Sequence, residues 1–312
     1  MSTLVGGNPA GGMGMREFNA FRTLIHHHSG IWLRDGKQIM LASRLGRRLR
    51  QHRMSEFTQY YEHVQHLPAD NEEIRELINC VTTNKTSFFR ERHHFEFLAK
   101  TVVAEVYEAS LRGGPRQMRV WSAACSTGEE PYTIAITLLE ALEQLRDARR
   151  PQSAVPRTGL RNLVADAWKI EVVASDIDTK VLNTAQRAIY PLDSLESVPQ
   201  ALRKKYFLRG TGEMEGQVKV KPEVSRRVRF IRVNLQDARW PLEGVFDVVF
   251  FRNALIYFNH ETQDIFLRKM IRFLKPRGYL FLGNSEHIPW LHGVLEPLQQ
   301  TMYRVRGGQP RK

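Results

Sequence analysis

Cysteine is scarce: Cys80 and Cys125 are the only two in 312 residues, too few for a disulfide framework or a cysteine-rich metal cluster. No apolar run approaches the ~20 residues that a membrane span needs. With a mean hydropathy of -0.40, the chain reads as a globular protein of the cytoplasm with no membrane insertion. Residues 1–15 lack the basic start and apolar centre of a secretion signal, and their glycine content predicts a disordered tail. The Gly-x-Gly-x-x-Gly fingerprint is missing, which argues against a dinucleotide pyrophosphate. The runs His26-His27-His28 and His93-His94 do not have a known metal-ligand spacing, so no metal is expected. What the chain has in excess is positive charge, +13 at neutral pH. That balance calls for an anionic partner: nucleic acid, an anionic membrane surface or an acidic protein.

The most informative stretch is Val120-Trp121-Ser122-Ala123-Ala124-Cys125-Ser126-Thr127-Gly128-Glu129-Glu130-Pro131-Tyr132. A strand ending at Trp121 runs into a turn of small residues that lets a ligand approach the backbone closely. A helix begins at Glu129-Glu130 and continues through Thr133 to Leu139. Acids suit the first turn of a helix, whereas a phosphate-binding loop would present lysine or bare amides there. The loop therefore fits a ligand that is small, uncharged or cationic; a purely structural turn capped by glutamate fits the same residues. Further on, Ile170-Glu171-Val172-Val173-Ala174-Ser175-Asp176-Ile177-Asp178 is a β-branched run ending in acids. An acid at the tip of the second strand of a doubly wound sheet takes the ribose hydroxyls of a nucleoside. The runs Val228–Leu235 and Phe246–Asn253 also end in polar residues, where ligands of open α/β sheets bind. Four such strand ends in order predict a nucleoside site, and their spacing favours S-adenosylmethionine over a dinucleotide.

Around this core, residues 16–83 read as a helical domain, with amphipathic segments over Glu17–His27, Lys37–Arg53, Ser55–Leu67 and Asn71–Asn79. Residues 84–312 read as the larger domain. Its strand at Arg277–Gly283 has Met302–Val305 as a candidate neighbour, and a polar tail follows from Gly307. The segment 145–169 is long for a helix-to-strand connection. A small antiparallel β-subdomain is expected at about 203–232, from the alternation in Gln217-Val218-Lys219-Val220-Lys221 and a turn carrying Gly210, Gly212 and Gly216. On the helix around Ser43–Arg53, Leu41, Leu45 and Leu49 share one face. Arg44, Arg47, Arg48 and Arg50 crowd the rest, which is either a solvated basic face or a docking surface for an acidic helix.

The chain resembles the chemotaxis receptor methyltransferases, which esterify glutamates on bacterial chemoreceptors, from about Phe18 to about Arg304. The motifs that carry the resemblance are Thr83-Asn84-Lys85-Thr86-Ser87-Phe88-Phe89-Arg90-Glu91, the Trp121–Tyr132 loop, Ala174–Asp178, Phe251-Arg252-Asn253-Ala254-Leu255-Ile256-Tyr257-Phe258 and Leu274-Lys275-Pro276-Arg277-Gly278. The resemblance implies a mostly parallel, doubly wound methyltransferase sheet with a small antiparallel β-subdomain, behind an N-terminal all-α domain. It also implies S-adenosylmethionine as cofactor, with S-adenosylhomocysteine as product. Asn84, Thr86, Arg90, Glu130, Asp176, Asn234, Leu235, Arg252 and Asn253 match cofactor contacts. Glu130 would sit at the cofactor's amino-acid end and Asn234 and Leu235 at the adenine. Arg90 and Tyr257 match the active-site pair. The basic helix suits glutamate-rich receptor helices, and family members with such a glycine-spaced turn dock a pentapeptide at the receptor's C-terminus. A monomer is the expected state.

Two rivals stay open on sequence. A nucleic-acid methyltransferase explains the charge equally well, but enzymes acting on exocyclic amines carry Asn-Pro-Pro-Tyr where this chain has Arg252-Asn253-Ala254-Leu255. A non-enzymatic adaptor would keep the fold without needing Arg90 and Tyr257 together.

Overall fold

The computed structural model describes residues 12–149 and 168–307. Residues 1–11 of the expected tail, most of the long 145–169 connection and the polar end after Gly307 lie outside the described residues. Residues 12–15 do not behave as a tail. Met13 is 3% exposed and packs into the helical core, and the Gly14 N–H donates to Glu17 Oε2 at 2.6 Å, so helix α1 already starts at Met15.

Four helices build the N-terminal domain: α1 (Met15–Ser29), α2 (Gln38–Gln51), α3 (Phe57–Val64) and α4 (Glu72–Val81). Their apolar residues recur at helical spacing, as in Leu41, Leu45 and Leu49 or Ile74, Leu77, Ile78 and Val81, and all enter one buried core. The same packing revises the docking patch expected on α2. Arg48 turns inward to pair with Glu73, which also accepts from the Tyr60 hydroxyl at 2.5 Å. Arg44 donates to the carbonyls of Val81 and Thr82, both at 2.9 Å, closing the end of α4. Only Arg47 and Arg50 of the four stay exposed.

The larger domain is a seven-stranded sheet. Its strands in chain order are β1 (Gln117–Ala123), β2 (Lys169–Asp176), β6 (Val228–Arg232), β7 (Phe246–Phe251), β8 (Leu274–Leu282), β9 (Leu295–Pro297) and β10 (Met302–Val305). They lie in the order β6-β2-β1-β7-β8-β10-β9. The pairings among the first five are parallel; β10 runs antiparallel to β8, and β9 to β10. Helices cover both faces, so β7 is buried along its whole length and reads as an unbroken apolar run. Along β1, Val120 enters the core on one face and Trp121 the core on the other. The strand order reverses beside β1, with β2 on one side and β7 on the other, which puts a ligand crevice at the carboxyl ends of these three strands.

Between β2 and β6 a separate sheet forms from β3 (Ile189–Pro191), β4 (Phe207–Arg209) and β5 (Gln217–Val220), in the order β3-β5-β4 and antiparallel throughout. The β-subdomain therefore runs over 189–220, not 203–232. Strand β3 is too short to show a period in the sequence, and Val228–Arg232 belongs to the main sheet as its edge. The β4–β5 turn explains one glycine directly. A Cβ on Gly210 would lie 1.9 Å from the Met214 carbonyl oxygen. Gly212 and Gly216 sit in the same turn at φ 59° and 80°. Among the described residues no helix is long and apolar enough to cross a membrane.

Candidate active site

The crevice predicted by the strand order is a pocket open to solvent on one side and lined from both domains. One wall is the turn after β1. Ala124, Ser126 and Gly128 all take positive φ there, at 58°, 51° and 96°, a conformation that is costly for the two non-glycine residues and must be held by its surroundings. Strand β2 holds it: Cys125 N–H donates to the Ser175 carbonyl at 2.9 Å and Ser126 N–H to Asp176 Oδ2 at 2.8 Å. Gly128 has no room for a side chain, because a Cβ would lie 2.7 Å from the Ala185 Cβ. Helix α7 (Glu129–Ala148) then starts, as the two acids predicted.

A second wall is the segment linking the domains. Thr82 Oγ1 and Asn84 Nδ2 both donate to Asp178 Oδ2, at 2.8 and 2.9 Å. The same carboxylate caps the helix Thr179–Arg187, so Asp178, unassigned on sequence, fixes the linker over the second strand. The third wall is the end of β7 and the turn beyond it, with Arg252, Asn253, Ala254, Tyr257 and Phe258. The helical domain adds Ile31, and Trp32 N–H donates to the Tyr257 carbonyl at 2.7 Å.

The floor is charged. Arg252 has a side chain 2% exposed and pairs at 3.0 Å with both Glu130 and Glu91. Glu130 also accepts from the Ser122 hydroxyl at 2.7 Å. Burial raises the Glu130 carboxyl even against the pull of Arg252. Burial works the same way on Glu91, but there Arg252, with donors from Asn253 and Asn284, outweighs it and holds the carboxyl below its usual range. Asp176, 7% exposed, is pushed by burial up to about 6. Glu130 and Asp176 line the pocket beside Arg252, whose charge is already matched by Glu91 and Glu130, and this suits a positively charged ligand.

Of the expected cofactor residues, Asn84, Thr86, Arg90, Glu130, Asp176, Arg252 and Asn253 line this pocket, and Tyr257 lines it with Arg90. Asn234 and Leu235 do not. Asn234 is buried and its side-chain amide donates to the His28 carbonyl at the end of α1, and Leu235 packs against the core that holds Trp121, Val249 and Ala254, the last of which lines the pocket. The end of β6 thus also touches the helical domain. Arg252 is the centre of a buried cluster. Glu91 and Glu286 were missed as site residues. Glu91 closes the Thr83–Glu91 segment, with nothing local to show that its carboxylate reaches across to Arg252. Glu286 follows β8 in a stretch without periodicity.

Two family models match this chain: the CheR methyltransferase all-alpha domain over residues 16–82 and the CheR methyltransferase SAM binding domain over 84–150 and 160–304. The break between the last two falls in the long connection noted above. The chain is 40% identical to the chemotaxis protein methyltransferase of Salmonella typhimurium, covering 92% of this chain and 89% of that one. It is 39% identical to that of Escherichia coli, covering 92% and 90%. It is 38% identical to chemotaxis protein methyltransferase 2 of Pseudomonas aeruginosa, covering 92% of each.

Proposed function

The chain belongs to the CheR methyltransferase family, and from that membership and the site we propose that it methylates glutamate side chains of chemoreceptors, giving methyl esters. The observation that carries the reading is the placement of Arg90 and Tyr257 on the wall of the pocket whose floor holds Glu130 and Asp176. S-adenosylmethionine supplies a methyl group on a positively charged sulfur, and the acid-rich floor fits that charge. Asp176 would accept from the ribose hydroxyls, and Glu130, fixed by Ser122 and Arg252, would face the amino-acid end.

A glutamate acceptor has an ordinary pKa of ~4.3 and is ionised near neutrality, so the attack needs no general base. The chain's residues have to align the carboxylate and strip its water, and alignment alone is worth up to ~7–11 kcal/mol. Arg90 is half-buried at the pocket, with Nη1 donating to the Lys85 carbonyl at 2.8 Å. Its remaining N–H groups suit one carboxylate oxygen by charge-assisted bonds. The Tyr257 hydroxyl makes no hydrogen bond among the described residues and is free to hold the other oxygen. Arg252 does not share this task, because its guanidinium is neutralised by Glu91 and Glu130; the preference for an anionic acceptor falls to Arg90.

Receptor recognition would use two surfaces. Arg47 and Arg50 offer positive charge to glutamate-rich helices, which raises encounter rate and orients the partner. Strand β4 is an edge of the small sheet, with Leu208 exposed, and an extended receptor tail can add to it as a further strand. The protein would act as a cytoplasmic monomer. The test uses S-adenosylmethionine with a labelled methyl group and receptor-containing membranes, followed by alkali. Volatile labelled methanol is the expected product. Alkali-stable label would mean methylated nitrogen and would revive the nucleic-acid rival, and no label despite cofactor binding would leave the adaptor. Arg90→Ala and Tyr257→Phe should each lower turnover; near-full activity in both would discard the assigned pair.

A further inference from the structure

Glu286 is a buried carboxylate with no cation beside it. It is 3% exposed, forms no ion pair among the described residues, and burial raises its carboxyl. Such a group is expensive to keep unless backbone donors surround it. Oε2 accepts from Gly283 N–H at 2.7 Å and from Asn253 N–H at 2.8 Å. Oε1 has no partner at hydrogen-bond distance, yet the N–H groups of Leu255 and Ile256 lie near enough to favour the ionised form. Gly283 directly follows β8, whereas Asn253, Leu255 and Ile256 belong to the corner that leaves β7. Asn253 is held there at φ 57°, and the residues Leu255–Tyr257 form a single tight turn. Tyr257 is the last residue of that turn, and Asn253 the first residue of the corner; both line the pocket.

We propose that Glu286 is a positioning residue, whose carboxylate ties the Asn253 N–H to the Gly283 N–H, fixes the corner that ends at Tyr257 and so sets where the Tyr257 hydroxyl meets the acceptor. The inference rests on the reading of Tyr257 given above. A glutamine at 286 keeps one oxygen for Gly283 and Asn253 but turns an NH2 group toward the Leu255 and Ile256 donors, which loosens the turn. A displacement near 1 Å in a reacting group costs up to about a hundredfold in rate.

The experiment is a double-mutant cycle on turnover with the full-length chain and receptor membranes: wild type, Glu286→Gln, Tyr257→Phe and both together, each with a thermal melt. Glu286→Gln is expected to lower turnover about tenfold in the wild-type background and less than about twofold in the Tyr257→Phe background, since residues acting as a unit are not additive. An equal loss in both backgrounds, or no loss in either, overturns the role of Glu286 while Tyr257→Phe still shows its own defect. Near-full turnover of Tyr257→Phe alone overturns the reading of Tyr257 and the proposal with it. Should Glu286→Gln fail to fold, Glu286→Asp carries the same cycle, because the shorter carboxylate cannot reach both N–H groups.

Discussion

Replacing Arg252 with methionine tests the charged floor of the pocket. Methionine is unbranched and fills much of the same volume, so the main loss is charge. The arginine side chain is 2% exposed and its partners Glu91 and Glu130 are 11% and 13% exposed, which makes this a buried cluster and not a screened surface pair. Removing one partner of a buried ion pair typically costs about 3–5 kcal/mol, because the other charge is left uncompensated. For a domain of this size each kcal/mol shifts the melting midpoint by about 2–4 °C, so the variant should melt roughly 6–20 °C lower near pH 8. The pH dependence gives the sharper check. In the native protein Arg252 holds Glu91 below its usual range; without it, burial raises Glu91 as it already raises Glu130. An acid whose folded pKa lies above its unfolded value loses stability as pH rises. The deficit should therefore be smaller in an acidic buffer than near pH 8, because both acids take up protons as pH falls. Urea or thermal denaturation of both proteins at the two pH values decides it. A deficit below about 1 kcal/mol near pH 8, or one that does not change with pH, would refute the buried-cluster account.

Four further outcomes follow from the geometry. Asp176, raised to about 6, should make S-adenosylhomocysteine affinity fall as pH drops through about 6, while Asp176→Asn binds weakly and evenly across the range; calorimetric titration of both proteins reads this, and a flat native profile would count against Asp176 as the ribose acceptor. Arg47→Glu with Arg50→Glu should slow receptor methylation without changing the melt. Arg48→Glu, by contrast, should cost the helical domain about 3–5 kcal/mol by opposing Glu73, and a normal melt for it would contradict the inward pairing. Gly128→Ala should lose about 2–4 kcal/mol in denaturation, from positive φ and from its Cβ lying 2.9 Å from the Tyr190 hydroxyl.

What was legible in the sequence had a local cause. The four N-terminal helices follow from apolar spacing, and α7 from the acids after a run of small residues. The ends of β1, β2 and β7 follow from buried runs that stop at polar residues. What was not legible depends on partners far along the chain. Arg44 and Arg48 look like a continuous basic face with Arg47 and Arg50, and only α4 decides that two of them turn inward. Asn234 ends a strand as a nucleoside contact would, and nothing local shows that α1 ends beside it and takes its side-chain amide. Asp178 holds Thr82 and Asn84 from far along the chain, and Glu286 accepts from backbone donors, which have no side-chain signature to be read against.

Ile31 in the pocket wall, Trp32 bonded to Tyr257 and Asn234 bonded to His28 together mean that the cofactor site is completed by both domains. A ligand that binds only the completed site adds its binding free energy to the docking of one domain on the other. S-adenosylhomocysteine should then merge two unfolding transitions into one at rising concentration. By the same linkage the isolated residues 84–312 should bind it more weakly than the whole chain, the difference being the free energy that docking contributes.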